Sequence, residues 1–404
     1  MSNPLVTINL VVLNGEKYIS HCLDSILTQT YPHQFIEFNI LDNGSSDQTK
    51  EIIRDLEIRI SSLGFAKFNF IESKLNLGMW PGQEKLLKNS AGKYILCVSV
   101  DVMIDEHFIE RAVTICESDP EVSAIQAKIY QYNHDELING SFKKKVTIDT
   151  CGFAMTRERK VVNIGHGKPD SPIFSKQHVV FGVEGAVPFF LRIALEDCRI
   201  NGWIWDPDYF WYGDDLDLAW RMTLFGHKQI YSPEVVAWHD RSTTKGNVTT
   251  DFLSDYVHRR KLRQQTPIHK RRLDWSNTRF TIIKNDYFHN ILRDFPAIMI
   301  REINVQGYAG LFERGILLEW GRFFRLLPRM VSRRCIIMSR ARISPNRIRS
   351  LMLINIHEEH KTPASEINWR ILQIIVVAVI ACIVTTGLIY FGYGLKIHLY
   401  NYLK

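Results

Sequence analysis

Four short apolar, β-branched runs alternate with helix-spaced segments over the first hundred residues, at 6–13, 35–41, 68–71 and 94–100. The first ends on Asn14-Gly15, the second on Asp42-Asn43-Gly44-Ser45 and the fourth on Asp101. Between the first two, Tyr18, Ile19, Cys22, Leu23, Ile26 and Leu27 recur at helical spacing. Ser46 or Asp47 is placed to cap a second helix reaching about residue 61, and residues 83–90 form a third. Strand and helix alternating at this interval build a mostly parallel sheet with right-handed crossovers. Such a sheet offers its ligand loops at the carboxyl ends of the strands, the positions of Asn14, Asp42 and Asp101. Neither GxGxxG nor GxxxxGK[ST] follows a strand, which excludes the dinucleotide and ATPase phosphate loops.

The segment Trp211-Tyr212-Gly213-Asp214-Asp215-Leu216-Asp217-Leu218-Ala219-Trp220-Arg221 sets three carboxylates among large apolar side chains. Carboxylates are seldom buried without partners. On a helix they would crowd the first turn, where free N–H groups and the macrodipole favour anions. One reading is an acidic cap, with Asp214 or Asp215 capping and Asp217 pairing with Arg221 at i+4. The other is a reaction centre.

The chain of 404 residues is 46% hydrophobic and carries a net charge of +7, long enough for more than one domain. Arginines cluster late, at 322, 325, 329, 333, 334, 340, 342, 347 and 349, which suggests an anionic surface as partner. Seven cysteines show no paired spacing and read as reduced core thiols. Residues 371–391 hold no charge over a length that spans a hydrocarbon core, flanked by Trp369, Arg370, Tyr393 and Lys396. A buried core helix is the alternative, though seldom this long without a polar face. No signal peptide is evident, so the N-terminal part is expected on the cytoplasmic face of a single-pass membrane protein.

Three linked blocks carry a family resemblance: Val11-Val12-Leu13-Asn14-Gly15-Glu16, Cys22-Leu23-Asp24-Ser25-Ile26-Leu27, and Leu41-Asp42-Asn43-Gly44-Ser45. Asn76-Leu77-Gly78, Ala91-Gly92-Lys93-Tyr94, Glu184-Gly185-Ala186 with Arg192, the acidic block and Trp238-His239 follow in order. Over roughly residues 4–245 the chain resembles family 2 glycosyltransferases, most of all the rhamnosyltransferase-like branch. Asn277-Thr278-Arg279-Phe280 and Lys284-Asn285 resemble the start of that branch's tail.

The resemblance implies a GT-A nucleotide-sugar-binding fold and a role for each matching residue. Asp215 would be the catalytic base, with Asp214 in the place of the family's Glu. Leu13, Asn14, Glu16, Asp42, Asn76, Gly78, Ser99, Asp101, Gly185, Arg192 and Asp217 would contact the donor. Asp101 and His239 would hold a divalent cation, Mg2+ or Mn2+. The reaction asks for such groups on its own account, because a leaving diphosphate needs charge compensation and an acceptor hydroxyl needs a base. One departure stands out: the family's DxD reads Ser99-Val100-Asp101, with a hydroxyl for the first carboxylate. Each residue also has a plain structural reading: an Asx turn at Asp42, a cap at Asp101, a satisfied core histidine at His239.

The expected architecture is therefore a GT-A α/β catalytic domain over 1–265, basic amphipathic helices at a membrane surface over 266–365, and one transmembrane helix with a short tail over 366–404. Trp320, Phe323 and Phe324 interleave with Arg322, Arg325 and Arg329, as in an interfacial helix on an anionic leaflet, a packing helix being the alternative. The expected function is inverting, non-processive transfer of a sugar, rhamnose among the candidates, from a dTDP- or UDP-sugar to a polyprenyl-linked or other membrane glycan. The expected partners are that donor and acceptor, an anionic membrane and a second copy of the chain, with no nucleic acid. A catalytically inactive membrane scaffold or binding module, which Ser99 permits, is the competing expectation.

Overall fold

In a computed structural model of the chain, the apolar runs form β1 (Val6–Val12), β2 (Ile36–Asp42), β3 (Lys67–Glu72) and β4 (Tyr94–Ser99). Residues 3–142, 146–241, 263 and 266–353 are described. β1 pairs parallel with β2 and β4, and β2 with β3. Every residue of β1 and β2 is buried, as befits central strands covered on both faces. The crossovers are α1 (Ile19–Leu27), α2 (Thr49–Ser62) and α3 (Met79–Leu87). α1 turns Ile19, Cys22, Leu23, Ile26 and Leu27 inward, the stripe its spacing demands. α3 begins one turn before residue 83, because Pro81 falls in the first turn, where its missing N–H has no helical partner to lose.

The sheet continues through β5 (Val102–Ile104), α4 (Phe108–Ser118), β6 (Val122–Gln131), α5 (His134–Ile138) and β7 (Ile148–Thr150). β8 (Phe153–Met155) and β9 (Val161–Asn163) form a separate hairpin. β10 (His178–Val179), β11 (Phe189–Leu191), α6 (Arg192–Asp197), α7 (Asp214–Leu224) and β12 (Lys228–His239) follow. The order across the large sheet is β10-β12-β6-β11-β4-β1-β2-β3, with β5 on β12 and β7 on β6. β11 runs antiparallel between β4 and β6, and β12 returns parallel to β6. The parallel half is as expected, and the other half joins the long parallel pair β6 and β12 to it through short antiparallel strands.

Register then builds the working edge. Val12 lies opposite Asp42 and Val11 opposite Ser99, so the carboxyl ends of β1, β2 and β4 share one rim. β5 folds back against β12 with Val102 opposite His239, which brings His239 to that rim beside Asp101.

The helices Ile268–Asn285 and Glu319–Arg340, assigned from sequence to a membrane surface, pack on the catalytic domain. Trp275, Phe280, Phe323 and Met330 share a core with Tyr209, and the Phe280 and Phe323 rings stack at 5.2 Å. Much of the arginine cluster expected to meet an anionic membrane faces inward. Arg333 reaches Asp206 and Asp208 at 2.6 Å and Arg349 reaches Asp294 at 2.6 Å, while Arg342, paired with Asp197 at 3.0 Å, stays 56% exposed. The reason is chemical: a guanidinium stays charged when covered and is satisfied by carboxylates in fixed fork geometry. Among the described residues no helix is long and apolar enough to cross a membrane. The uncharged run at 371–391 and the whole of 366–404 lie outside the described residues. Cys22, Cys97, Cys116, Cys151 and Cys198 are buried thiols in no disulfide, as the reduced-thiol reading expects, while Cys335 is exposed.

Candidate active site

The loops after β1 and β2 are stitched together at the rim. Asn14 Oδ1 accepts from the Ser46 N–H at 2.9 Å, and Ser45 Oγ accepts from the Asn14 N–H at 2.9 Å. Glu16 Oε2 accepts from the Gln48 N–H and Asp47 Oδ2 from the Glu16 N–H, both at 3.1 Å. Leu13 and Asn14 are left exposed at the mouth. Asp42, fully buried, accepts from the Gly44 and Ser45 N–H groups, so its carboxylate shapes the loop as an Asx turn and frames the pocket. Asn76 is likewise occupied, accepting from the Gly78 N–H at 2.9 Å and from Asn43 at 3.1 Å. Gly78 sits at φ +91, and a Cβ there would stand 3.0 Å from the Phe210 carbonyl, so the turn requires glycine.

Two expected donor contacts are elsewhere. Arg192 donates to the carbonyls of Gly92 and Ser90, beside the start of β4, whereas Ser99 and Asp101 follow its end. The strand between them spans roughly 20 Å, which removes Arg192 from the donor set. Asp217 is fully buried and accepts from Asn285 at 2.6 Å, Lys284 at 2.9 Å and Arg221 at 3.2 Å. The i+4 pairing read from sequence holds, and these bonds make Asp217 a core anchor.

Asp214, Asp215 and Asp217 do fall in the first turn of α7, whose N-cap is Gly213 at φ +78. The turn before it is held in a costly shape. Phe210 and Tyr212 both lie in the left-handed region, at φ 62 and 64, at about 1–3 kcal/mol each. Asn277 offsets this by donating to the carbonyls of Tyr209, Trp211 and Tyr212 at 3.1, 2.8 and 2.7 Å. Asn277, Thr281, Lys284 and Asn285 lie at i, i+4, i+7 and i+8 on one helix face. That spacing was a readable signal for their shared task.

Asp215 points its carboxylate at Gly185, accepting from the Gly185 N–H at 3.3 Å and from the Leu216 N–H at 2.8 Å. A Cβ on residue 185 would lie 2.9 Å from Asp215 Oδ2, so glycine is what admits the carboxylate. Burial, and then the negative charge of Glu184, push the Asp215 carboxyl up to about 6, against the two N–H bonds and Arg241. Asp214 is 2% exposed and held well above the ordinary carboxylate range by burial and by Asp215. Asp214 is thus the harder of the two to ionise, and Asp215 is the group able to take a proton near neutrality.

On the other side, His239 Nε2 faces Asp101 Oδ2 at 3.4 Å and His239 Nδ1 bonds Asp149 Oδ2 at 2.9 Å. Burial opposes charge on this ring, but Asp101 and Asp149 outweigh it and hold it up to about 10. Arg241 joins the halves, reaching Asp149 at 3.1 Å and Glu184 at 2.7 Å. Asp149 comes from β7, and neither it nor Arg241 has a sequence signal; Glu184 was visible only as the neighbour of Gly185.

Among the described residues no three His, Cys, Asp or Glu side chains gather into a cation cage. Asp101 and His239 would hold a divalent ion only once the ring gives up its Nε2 proton, the other ligands coming from phosphate oxygens and water. Asp149 at Nδ1 leaves Nε2 as the coordinating nitrogen, the usual outer support for a ligating histidine.

Residues 7–165 match the family model Glycosyl transferase family 2. The match covers that segment of the chain. Poly-beta-1,6-N-acetyl-D-glucosamine synthase of Staphylococcus epidermidis is 23% identical over 229 residues, covering 57% of this chain and 48% of the synthase. Glycosyltransferase GlyA of Streptococcus pneumoniae is 28% identical over 148 residues, 35% of this chain and 20% of that protein. The chain thus spans about half the length of the synthases it matches. S. aureus TarS 1-349, solved in complex with UDP, is similar at a TM-score of 0.50 and 14% identity, over 89% of this chain and 93% of that one. The likeness to TarS is one of fold, a mixed α/β GT-A-like architecture.

The raised Asp215 carboxyl sets a testable pH profile for the site. Asp215 accepts a proton only when ionised, so kcat/KM should fall as pH drops through about 6. Glu184→Gln removes a neighbouring negative charge and should move that limb lower, toward the ordinary carboxylate range. A limb unmoved by the substitution would show that another group titrates.

Proposed function

We propose that this chain is an inverting, non-processive glycosyltransferase that moves a hexosyl or deoxyhexosyl group, rhamnose included, from a nucleotide-sugar to a glycan acceptor at a membrane. The observation that carries this reading is Asp215. One carboxylate raised to about 6 stands at the rim of a fold whose residues 7–165 match the family 2 model, with a second carboxyl, harder to ionise, behind it. A single base suits direct displacement: the acceptor hydroxyl gives its proton to Asp215 while its oxygen attacks the anomeric carbon.

The nucleoside, of the UDP or dTDP kind, would lie over the stitched loops at Leu13, Asn14 and Glu16, with its diphosphate toward Ser99 and Asp101. A divalent cation held by Asp101 and His239 would offset the charge growing on the leaving diphosphate. Arg241 and Asp149 orient His239, and Gly185 orients Asp215. The exposed rings of Phe210 and Trp211, just before Asp215, offer the acceptor an apolar flank. The uncharged run at 371–391 would tether the domain at the cytoplasmic face of a membrane, where lipid-linked acceptors are found.

Calorimetric titration of UDP and dTDP with and without manganese tests the donor end. Manganese should tighten binding to the full chain by at least about tenfold, and Asp101→Asn should remove most of that gain. Excess chelator should also abolish transfer, with manganese or magnesium restoring it. Nucleotide affinity indifferent to manganese, or full turnover in chelator, would show that basic side chains compensate the diphosphate.

A further inference from the structure

The helix Phe295–Phe312 is mostly apolar, with Arg301 and Glu302 as its charged side chains, yet Ala309 is its one buried residue. A helix docked on a soluble body covers its apolar stripe. Here the stripe faces out: Phe295 is 50% exposed, Met299 38%, Leu311 73% and Phe312 43%. The helix Phe288–Arg293 precedes it with Asp294 alone between them, and adds Phe288 at 66% and Leu292 at 57%. Phe288 and Leu292 lie one turn apart on the first helix, and Phe295 and Met299 one turn apart on the second. The charges turn the other way, Glu302 bonding Arg279 at 2.5 Å and Arg301 at 2.8 Å.

Apolar side chains exposed this densely on a folded surface mark a contact with something else. Two features of the chain say what. The uncharged run at 371–391, with Trp369, Arg370, Tyr393 and Lys396 at its ends, has the length and flanks of a bilayer span. Residues 266–353 hold 17 Lys and Arg against 6 Asp and Glu, and exposed Arg293 and Arg314 bracket the apolar helix in sequence. Apolar side chains outward with arginines at the margins is the pattern of a helix lying in a membrane interface.

We propose that the outward face of residues 288–312 lies in the interfacial layer of a lipid bilayer, held by apolar burial and not by the arginine cluster, which is largely bonded inward. The proposal is independent of the transferase reading and concerns how the domain is set on the membrane. Contact through apolar burial resists salt, because screening acts on charge alone.

The test uses the full-length chain with Cys335→Ser and Cys382→Ser, reconstituted into phosphatidylcholine–phosphatidylglycerol vesicles. An environment-sensitive fluorophore is placed by Leu311→Cys, by Phe295→Cys, or, as control, by Ile58→Cys on α2, 82% exposed on the catalytic domain. Labels at 311 and 295 should be quenched about twofold or more by nitroxide-labelled lipid, equally at low and high salt, and the label at 58 should not. The proposal is overturned by a water-exposed label at both 311 and 295. It is equally overturned by shielding without lipid quenching, which would mean that a second copy covers the face, or by loss of quenching at high salt.

Discussion

Asp215→Asn should lower turnover by about two to four orders of magnitude while leaving nucleotide binding nearly intact. The amide keeps the volume of the carboxylate, and its oxygen can still accept from the Gly185 and Leu216 N–H groups that fix Asp215 at 3.3 and 2.8 Å. What it loses is the capacity to take a proton. Binding should survive because the proposed diphosphate end, at Asp101 and His239, is a separate cluster, joined to Asp215 through Arg241 and Glu184. The neighbouring Asp214→Asn should cost far less. Burial and Asp215 already disfavour the charged form of that carboxyl, and an amide is close to its protonated form in shape. Steady-state rates with calorimetric nucleotide affinities separate the two. Comparable turnover in Asp215→Asn, or a larger loss in Asp214→Asn, would reverse the assignment.

Lys284→Met should destabilise the domain by about 3–5 kcal/mol, the usual result of stripping one partner from a buried ion cluster. Lys284 Nζ lies 2.6 Å from Asp206 and 2.9 Å from Asp217, with side-chain exposures of 1%, 3% and 0%, and it stands 4.4 Å over the Tyr209 ring. Without it, Asp217 keeps Arg221 and Asn285 while Asp206 keeps Arg333, and each carries more uncompensated charge away from water. For a unit of this size the loss corresponds to roughly 10 °C in Tm. Lys93→Met is the control. Its pair with Glu117 is half exposed, and surface pairs contribute less than about 1 kcal/mol. Thermal melts of both variants decide the matter, and equal melting temperatures would mean that Lys284 is not structural.

The parallel half of the sheet was legible because two-sided burial writes itself as continuous apolar runs, seen in β1 and β2. The rim followed from the polar residues ending those runs, and the family resemblance singled out Asp101, His239 and Asp215, of which the fold sets His239 against Asp101 and Asp215 against Gly185. Arg192 and Asp217 were misplaced for a shared reason. A charged side chain in a motif looks alike whether it faces ligand or core, and only the fold shows Gly92 and Ser90 around the first or Lys284 and Asn285 around the second. Asp149 and Arg241 were illegible because their partners are distant in sequence: Asp149 meets His239 across ninety positions, and Arg241 meets Glu184 across fifty-seven. The arginines of 322–349 misled for the opposite reason. Their density suggested a surface field, and the carboxylates that absorb many of them, Asp197, Asp206 and Asp208, lie more than a hundred residues earlier.

The central claim is that Asp215 activates an acceptor for direct displacement on a nucleotide-sugar. Proton NMR of the full-length protein in detergent, with manganese, a panel of UDP- and dTDP-sugars and a lipid-linked glycan acceptor, tests it most directly. One donor should release its nucleoside diphosphate and yield a product of inverted anomeric configuration, and Asp215→Asn should bind that donor without releasing it. Nucleotide binding with no release from any donor would instead identify a binding module, and a product of retained configuration would contradict Asp215 as the base of a single displacement.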